Sequence, residues 1–367
     1  MLARCTKIEH PLGATIDLPR LVPAFSSKGF AFIPASQDGG LRAPGRNKHA
    51  QKPSSQSGKS KRPEISEATR ALEIVGPFIR DSMLVSAYDL FHRHFHKPER
   101  FFKEKELVFL DSGGYELSPG FDQTEPVHWG TPKKRFIRDN YLAVLNELPK
   151  DLPFVISNFD WGTKGNPLEK QILSAQKLFR GFPKCMTNFI AKPSAGEKYI
   201  KVDEMIRHVK KFLAFDVLGI TEKELGENLI DQLKTLAKLR LAMDREGVDI
   251  PIHVWGGLDP LLTPLYFFAG AEIFDGISWL RYAYHDGVAV YRNSFSVLDG
   301  TIECPRDRAK ALALHKNLDS LKVLASNLSD FVVRKASTFE MFGSRAEVME
   351  KAYRVLVTHV PAIERGQ

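Results

Sequence analysis

Cysteine is scarce in this chain: Cys5, Cys185 and Cys304 lie far apart and form no CxxC pair. That excludes a disulfide-stapled scaffold and suits a reducing cytoplasm. Long apolar runs are also missing. None reaches the roughly 18 residues of a membrane span, and the opening stretch MLARCTKIEHPLGATIDLPRL has no long apolar core before a small-residue cleavage site, so neither a membrane anchor nor a secretory leader is expected. No GxGxxG follows a strand-like run, which weakens a dinucleotide-binding reading. No repeat of solenoid length is present.

What the chain does have is positive charge, formally +8. The basic residues gather in GRNKHAQKPSSQSGKSKRPE (45–64), HRHFHKPERFFKEK (92–105) and KKRFIRDN (133–140). One such cluster is ordinarily a solvated surface. Three, one of them interleaved with Phe, direct attention to a polyanion, and Lys133, Lys134 and Arg135 are candidate nucleic-acid contacts.

Residues 37–64 are rich in Gly, Ser and Lys and poor in apolar residues, as in a flexible linker. Beyond them a rhythm sets in. MLVSAYDL (83–90), LVFLDS (107–112), LPFVISNFD (152–160), MTNFIAKP (186–193), FDVLGIT (215–221), IPIHVWGG (250–257) and EIFDGIS (272–278) each read as a strand buried on both faces. Helical patterns alternate with them, starting at Thr131-Pro132, at Asn166-Pro167, at a Thr221/Glu224 capping box and at Asp259-Pro260. The alternation predicts a (β/α)8, TIM-like barrel in the α/β class, with an eighth strand from 23–36 or 71–81. The expected organisation is an N-terminal extension with a basic flexible segment (1–64), a catalytic barrel (65–300) and C-terminal helices packed on it (301–367).

Chemistry in such a barrel sits at the C-terminal strand ends. Asp111, Asp160, Lys192, Trp255 with Gly256-Gly257, and Asp275 collect there. An acid after a strand is often only a helix cap, and Asp160 fits that role. Asp111 and Asp275 precede glycines, so a cap explains them less well. Tyr115 and Trp255 sit beside glycine pairs. An aromatic at a strand end is commonly core, but flat rings next to glycine also suit a pocket for a planar base.

These residues resemble a family. LDSGGYEL is similar to the DSGG[FY]Q signature of the tRNA-guanine transglycosylases, and IHVWGGLDPLLTPLYFFAGAEIFDGISWLR is similar to that family's last two strands; the likeness spans roughly residues 80–290. The resemblance implies Asp275 as a nucleophile forming a covalent glycosyl intermediate and Asp111 as general acid/base. It also implies Tyr115 and Trp255 as stacking faces and Asp160 as reader of the Watson–Crick edge. Backbone near Gly219 and Ile220 would assist, Ser112, Gly113, Gly256 and Lys192 would line the base site, and Arg281 would lie near the phosphate backbone.

The chain departs from the pattern. The family carries a zinc motif, CxCxxC with a distant His, after the nucleophile strand, whereas only Cys304 lies in that region here. No metal and no cofactor is therefore expected. Lys192 stands where a glutamine is expected, and no second arginine follows Arg281 shortly. A divergent basic member without the zinc site resembles the DpdA-type branch, which inserts 7-deazaguanine bases into DNA. The expected partners are DNA, with tRNA as the alternative, a 7-deazapurine base such as preQ0, and helper proteins that open a duplex. A non-catalytic nucleic-acid-binding paralogue is a third reading, opposed by the presence of both Asp111 and Asp275. An unrelated barrel glycosidase using the same two acids is a fourth.

Overall fold

Strands that are apolar on both faces must be covered on both, and this chain covers them by closing its sheet. The protein is seen in a computed structural model that describes residues 2–30, 32–34, 64–95, 98–118, 135–160 and 165–361. A short antiparallel hairpin, β1 (Lys7–Glu9) and β2 (Thr15–Asp17), comes first. Then come β3 (Arg20–Phe25), an antiparallel pair β4 (Phe32–Pro34) and β5 (Glu64–Ser66), and the seven strands read from the sequence. These are β6 (Ser82–Ser86), β7 (Leu107–Asp111), β8 (Phe154–Ser157), β9 (Met186–Ala191), β10 (Val217–Thr221), β11 (Ile252–Trp255) and β12 (Ile273–Gly276). Strand β3 and β6 to β12 form a closed parallel barrel in chain order, with β12 pairing back onto β3.

The strand that closes the barrel is therefore Arg20–Phe25, not a stretch within 23–36 or 71–81. Its Pro23 argues against a central strand by composition, yet residue by residue β12 and β6 pair on either side of it. Residues 35–63, which hold most of the first basic cluster, lie outside the described residues.

Side chains alternate across the wall. Val22, Ala24, Leu84, Leu107, Phe109, Val155, Met186, Ile190, Val217, Trp255 and Ile273 form one interior cluster, joined by Ile16 and Leu18 of the N-terminal segment. The hairpin thus seals the N-terminal end of the strands, where His10 Nε2 also meets the Phe154 carbonyl at 3.1 Å. The open end is the C-terminal one. The alternate residues, among them Val108, Leu110, Ile156, Phe189, Leu218, Ile220, Val254 and Phe274, belong to the layer beneath the helices.

That layer begins with α1 (Glu67–Val75), α2 (Ala87–Phe91) and α3 (Glu99–Phe102). After β7 come α4 (Gly114–Leu117) and α5 (Arg138–Glu147); the expected start of α5 at 131–132 lies outside the described residues. Helix α6 (Leu168–Phe179) follows Pro167 as its pattern implies, and α7 (Val202–Arg207) comes next. Helix α8 (Leu229–Arg245) does not use the Thr221/Glu224 box: Asn228 Oδ1 caps it, accepting from Asp231 N at 3.0 Å. Thr221 and Glu224 are engaged elsewhere, by Lys192. Helix α9 (Leu262–Phe268) starts where Asp259 Oδ1 accepts from Leu261 N and Leu262 N.

After β12 the chain forms α10 (Ser278–Arg281), a hairpin of β13 (Ala283–His285) and β14 (Val288–Val290), and α11 (Arg292–Leu298). The 28-residue α12 (Arg306–Val333) packs against β3 and α1, taking the eighth place in the helical ring, and α13 (Ala346–His359) packs on α8 and α9. No helix among the described residues is long and apolar enough to cross a membrane.

Asn317 anchors α12 to the barrel. Fully buried, it accepts from Tyr284 N at 2.6 Å and donates to the Trp279 and Tyr282 carbonyls at 2.6 and 2.8 Å. Asn317→Ala strands two buried backbone groups and a third that is part-buried, so a loss of about 2–4 kcal/mol is expected. It should appear as a lower urea midpoint at unchanged slope; an unchanged midpoint would show that this anchor is dispensable.

Candidate active site

The site grows from strand ends at the open mouth. Strand β7 ends in Asp111, whose Oδ2 accepts from Gly113 N at 3.2 Å. Gly113 is left-handed at φ +90°, and a Cβ there would lie 2.9 Å from Tyr88 Cβ, so glycine is required both conformationally and sterically. A Cβ on Gly114 would meet Asp160 Oδ1 at 3.2 Å. The Asp-Ser-Gly-Gly turn therefore folds directly under the carboxylate that follows β8. Ser112 Oγ donates to Asp160 Oδ1, and Lys192 Nζ lies 3.2 Å from Asp160 Oδ2. That ammonium also reaches Thr221 Oγ1 at 2.6 Å and Glu224 Oε2 at 3.0 Å. Burial opposes its charge, but Asp160 and Glu224 more than offset this and raise its pKa above the ordinary lysine value.

Across the mouth, Asp275 Oδ1 accepts from His253 Nε2 at 3.0 Å and from Gly256 N at 3.2 Å. Gly256 is left-handed at φ +84°, which turns its N–H toward the carboxylate. Oδ2 accepts no hydrogen bond from a described residue. Asp111 and Asp275 are both buried and close enough to sense each other electrostatically. The Asp111 carboxyl is held well above the usual range, first by burial and then by the negative charge of Glu116, Asp160 and Asp275.

Trp255 is buried, with its ring stacked on His253 at 4.4 Å and 27°. Gly219 lies against its edge, where a Cβ would sit 2.5 Å from Trp255 Nε1. Ile220 turns its side chain into the outer layer, so only its backbone is available to the mouth. Tyr115 is half-buried. Lys28 Nζ lies 4.4 Å over its ring and donates to its carbonyl at 2.6 Å, and Arg281 donates to its hydroxyl at 3.0 Å. Arg281 thus stands at the rim beside a stacking candidate. Arg135 is exposed next to buried Phe136; Lys133 and Lys134 lie outside the described residues.

The interleaved aromatics of 92–105 point inward. Phe95, Phe101 and Phe102 are core, Lys105 Nζ is buried on the Gly76 carbonyl at 3.1 Å, and Arg100 pairs with Glu73 at 3.0 Å. Their spacing reflects a packed barrel flank and not a row of rings open to bases.

Reading by motif overlooks Glu116, Ser26, Ser86, Lys28, Asn188, His253 and Glu224. Two signals were available. Glu116 stands where the signature has glutamine, and His253 shares the inward face of β11 with Trp255 two residues later. The three cysteines are free, and among the described residues no group of three His, Cys, Asp or Glu is placed to hold a metal.

Glu116 accepts from Ser26 Oγ and from Ser86 Oγ, the latter at 2.7 Å. Burial, followed by the nearby Asp89, pushes its carboxyl up to about 7. Between the ordinary glutamate value and about 7, the folded protein keeps a proton that the unfolded chain has released, so stability falls as pH rises through that window. Glu116→Gln removes this dependence. The variant's unfolding free energy relative to wild type should rise by roughly 3 kcal/mol from about pH 4.5 to about pH 7.5. A difference that is the same at both ends would mean that Glu116 ionises normally in the fold.

A scan of the sequence against protein-family models finds no match. Among curated proteins, the chain is 22% identical over 315 residues to a tRNA-guanine(15) transglycosylase from Nanoarchaeum equitans (strain Kin4-M), covering 78% of this chain and 73% of that one. The similarity to a tRNA-guanine transglycosylase is thus a distant one that runs through most of both chains.

Proposed function

We propose that the protein exchanges guanine in a polynucleotide for a 7-deazaguanine base such as preQ0, through a covalent intermediate on Asp275. The observation that carries this reading is the pairing of two unlike carboxyls at one barrel mouth. Asp275 has one oxygen tied by two N–H groups and the other without a hydrogen bond from a described residue, and Asp111 has a raised pKa. Asp275 Oδ2 attacks C1′, the C1′–N9 bond breaks, and its electron pair leaves with the guanine, which takes the proton from Asp111. The incoming base then gives its N9 proton to Asp111, its nitrogen attacks C1′, and the Asp275–C1′ bond breaks. Two inversions leave the sugar with its original configuration. Asp160, held by Ser112 and Lys192, accepts from the N1–H and exocyclic amine of the base, while Tyr115 and Trp255 offer flat faces. A transferase of this kind is consistent with the similarity to a transglycosylase.

We take DNA as the polymer, because the zinc motif of the tRNA-acting family is absent from the sequence after Asp275. The tRNA reading is favoured instead by the activity for which the archaeal relative is named. Lys28, Arg281 and Arg135 at the mouth would meet phosphates. Helper proteins would serve to open a duplex, since extruding a base costs a few kcal/mol and least in a single strand.

Labelled preQ0 incubated with tRNA, duplex DNA and single-stranded DNA tests this. Incorporation into DNA, greatest in single strands, is expected. Incorporation into tRNA alone would sink the DNA assignment and leave the chemistry standing. Incorporation into none, with tight salt-sensitive binding, would favour the non-catalytic paralogue. Asp275→Ala should abolish both exchange and any covalent adduct while binding persists. An undiminished adduct from that variant would assign the attack to another residue.

A further inference from the structure

Beneath Asp275 a buried polar chain runs down into the barrel. His253 is fully buried and meets Asp275 Oδ1 through Nε2 at 3.0 Å; its Nδ1 meets Asn188 Nδ2 at 2.8 Å. Asn188 is also fully buried, on the inward face of β9.

The direction of this chain follows from its far end. Asn188 Oδ1 and Trp255 Nε1 both crowd the face of Gly219, at 2.6 and 2.5 Å from where its Cβ would stand, and neither has a hydrogen-bond partner among the described residues. With Oδ1 on that side, the acceptor shares the Gly219 face with the indole N–H, without a hydrogen bond between them. Flipping the amide would set two donors against each other there. Nδ2 is therefore the group facing His253, and it donates. His253 Nδ1 must accept, so the ring proton is on Nε2 and is donated to Asp275. The ring is also clamped, stacked by Trp255 at 4.4 Å and met edge-on by Phe109 at 5.4 Å. Burial lowers the pKa of His253 against the opposing pull of Asp275, which favours the neutral ring over an ion pair.

We propose that His253, with its tautomer set by Asn188, is the positioning residue that fixes the carboxylate of Asp275 with Oδ2 directed at the reacting carbon. The inference rests on Asp275 being the nucleophile. A donor to Oδ1 serves both halves of the reaction, because that oxygen remains an acceptor, as the ester carbonyl, once Oδ2 is bonded to C1′. A neutral donor does this without the ion pair that a charged imidazolium would form. A nucleophile confined to one orientation reaches its target more often than one free to rotate.

The test uses the full chain and single-turnover formation of the adduct with single-stranded polynucleotide. His253→Phe should slow the rate constant about 10²-fold or more, with polynucleotide affinity unchanged within about 2-fold. His253→Gln, whose amide nitrogen can stand in for Nε2, should recover most of that loss, and Asn188→Leu should slow the step about 10-fold through the loosened ring. A merely structural role would lower the amplitude, which counts folded sites, and leave the rate constant alone. That result would overturn the proposal. Nitrogen-15 NMR of the histidine ring adds a readout independent of activity. The expected signals are a protonated Nε2 and a bare Nδ1 at neutral pH in wild type, with this preference lost in Asn188→Leu. A proton on Nδ1 in wild type would overturn the assignment. Absence of any adduct in wild type, together with the expected NMR tautomer, would instead place the failure in the nucleophilic role of Asp275.

Discussion

Four carboxyl groups, Asp111, Glu116, Asp160 and Asp275, are buried together at one end of a closed barrel, and most of the local structure answers the cost of that arrangement. Like charges in a low-dielectric site cannot all ionise freely. Asp160 is answered by the Lys192 ammonium and a serine hydroxyl, and Asp275 by two N–H donors on one oxygen. Among the described residues one backbone N–H reaches Asp111, and its pKa rises. Glu116 sits between two serines and rises as well. The consequence is that carboxyls of the same chemical type sit in unlike environments: Asp275 keeps one oxygen tied by two N–H donors, and Asp111 is pushed toward its protonated form. Acid and base assignments at neutral pH depend on this kind of separation.

The glycines of the mouth are set by the same crowding. Gly113 and Gly114 bring the β7 turn against Tyr88 and Asp160, and Gly219 makes room for an indole edge and an amide oxygen inside the wall. Gly113 also supplies the N–H that Asp111 Oδ2 accepts. An alanine at any of the three would displace a neighbour that the site needs, so the glycines here serve close approach as much as turning.

The barrel was legible because seven strands, buried on both faces and separated by helical patterns, leave few topologies. Strand β3 was not, because Arg20 and Pro23 break its apolar pattern and both of its pairing partners lie more than 50 residues later in the sequence. With β3 unrecognised, Ser26, Ser27 and Lys28 just beyond it could not be placed at the mouth, and the partners of Glu116 and Tyr115 were hidden. Asp111, Asp160 and Asp275 were legible because an acid at the end of a buried strand needs an explanation. Thr221 and Glu224 were misread as a helix cap because local spacing carries no information about Lys192, 29 residues upstream of Thr221. Phe101 and Phe102 were misread in the opposite direction: aromatic residues beside basic ones look like a nucleic-acid surface until burial shows which way the rings face.

The two rings proposed to hold the base differ in what stands behind them. Tyr115 is supported from the rim by Lys28 and Arg281, side chains that also belong to the surface a phosphate backbone would approach. Trp255 is supported from within by His253, so one of its faces is already occupied. A base stacking on the remaining face of Trp255 presses on the same ring pair that orients Asp275, and a phosphate drawing on Arg281 acts on the hydroxyl of Tyr115. In the proposed reaction, polymer binding and base binding therefore bear on different walls of one pocket, and only the inner wall leads to the nucleophile. Rim contacts are thus suited to selecting the polymer. The Trp255–His253 stack is suited to coupling the presence of a base to the geometry of attack, which makes the inward face of β11 the part of the barrel least able to tolerate change.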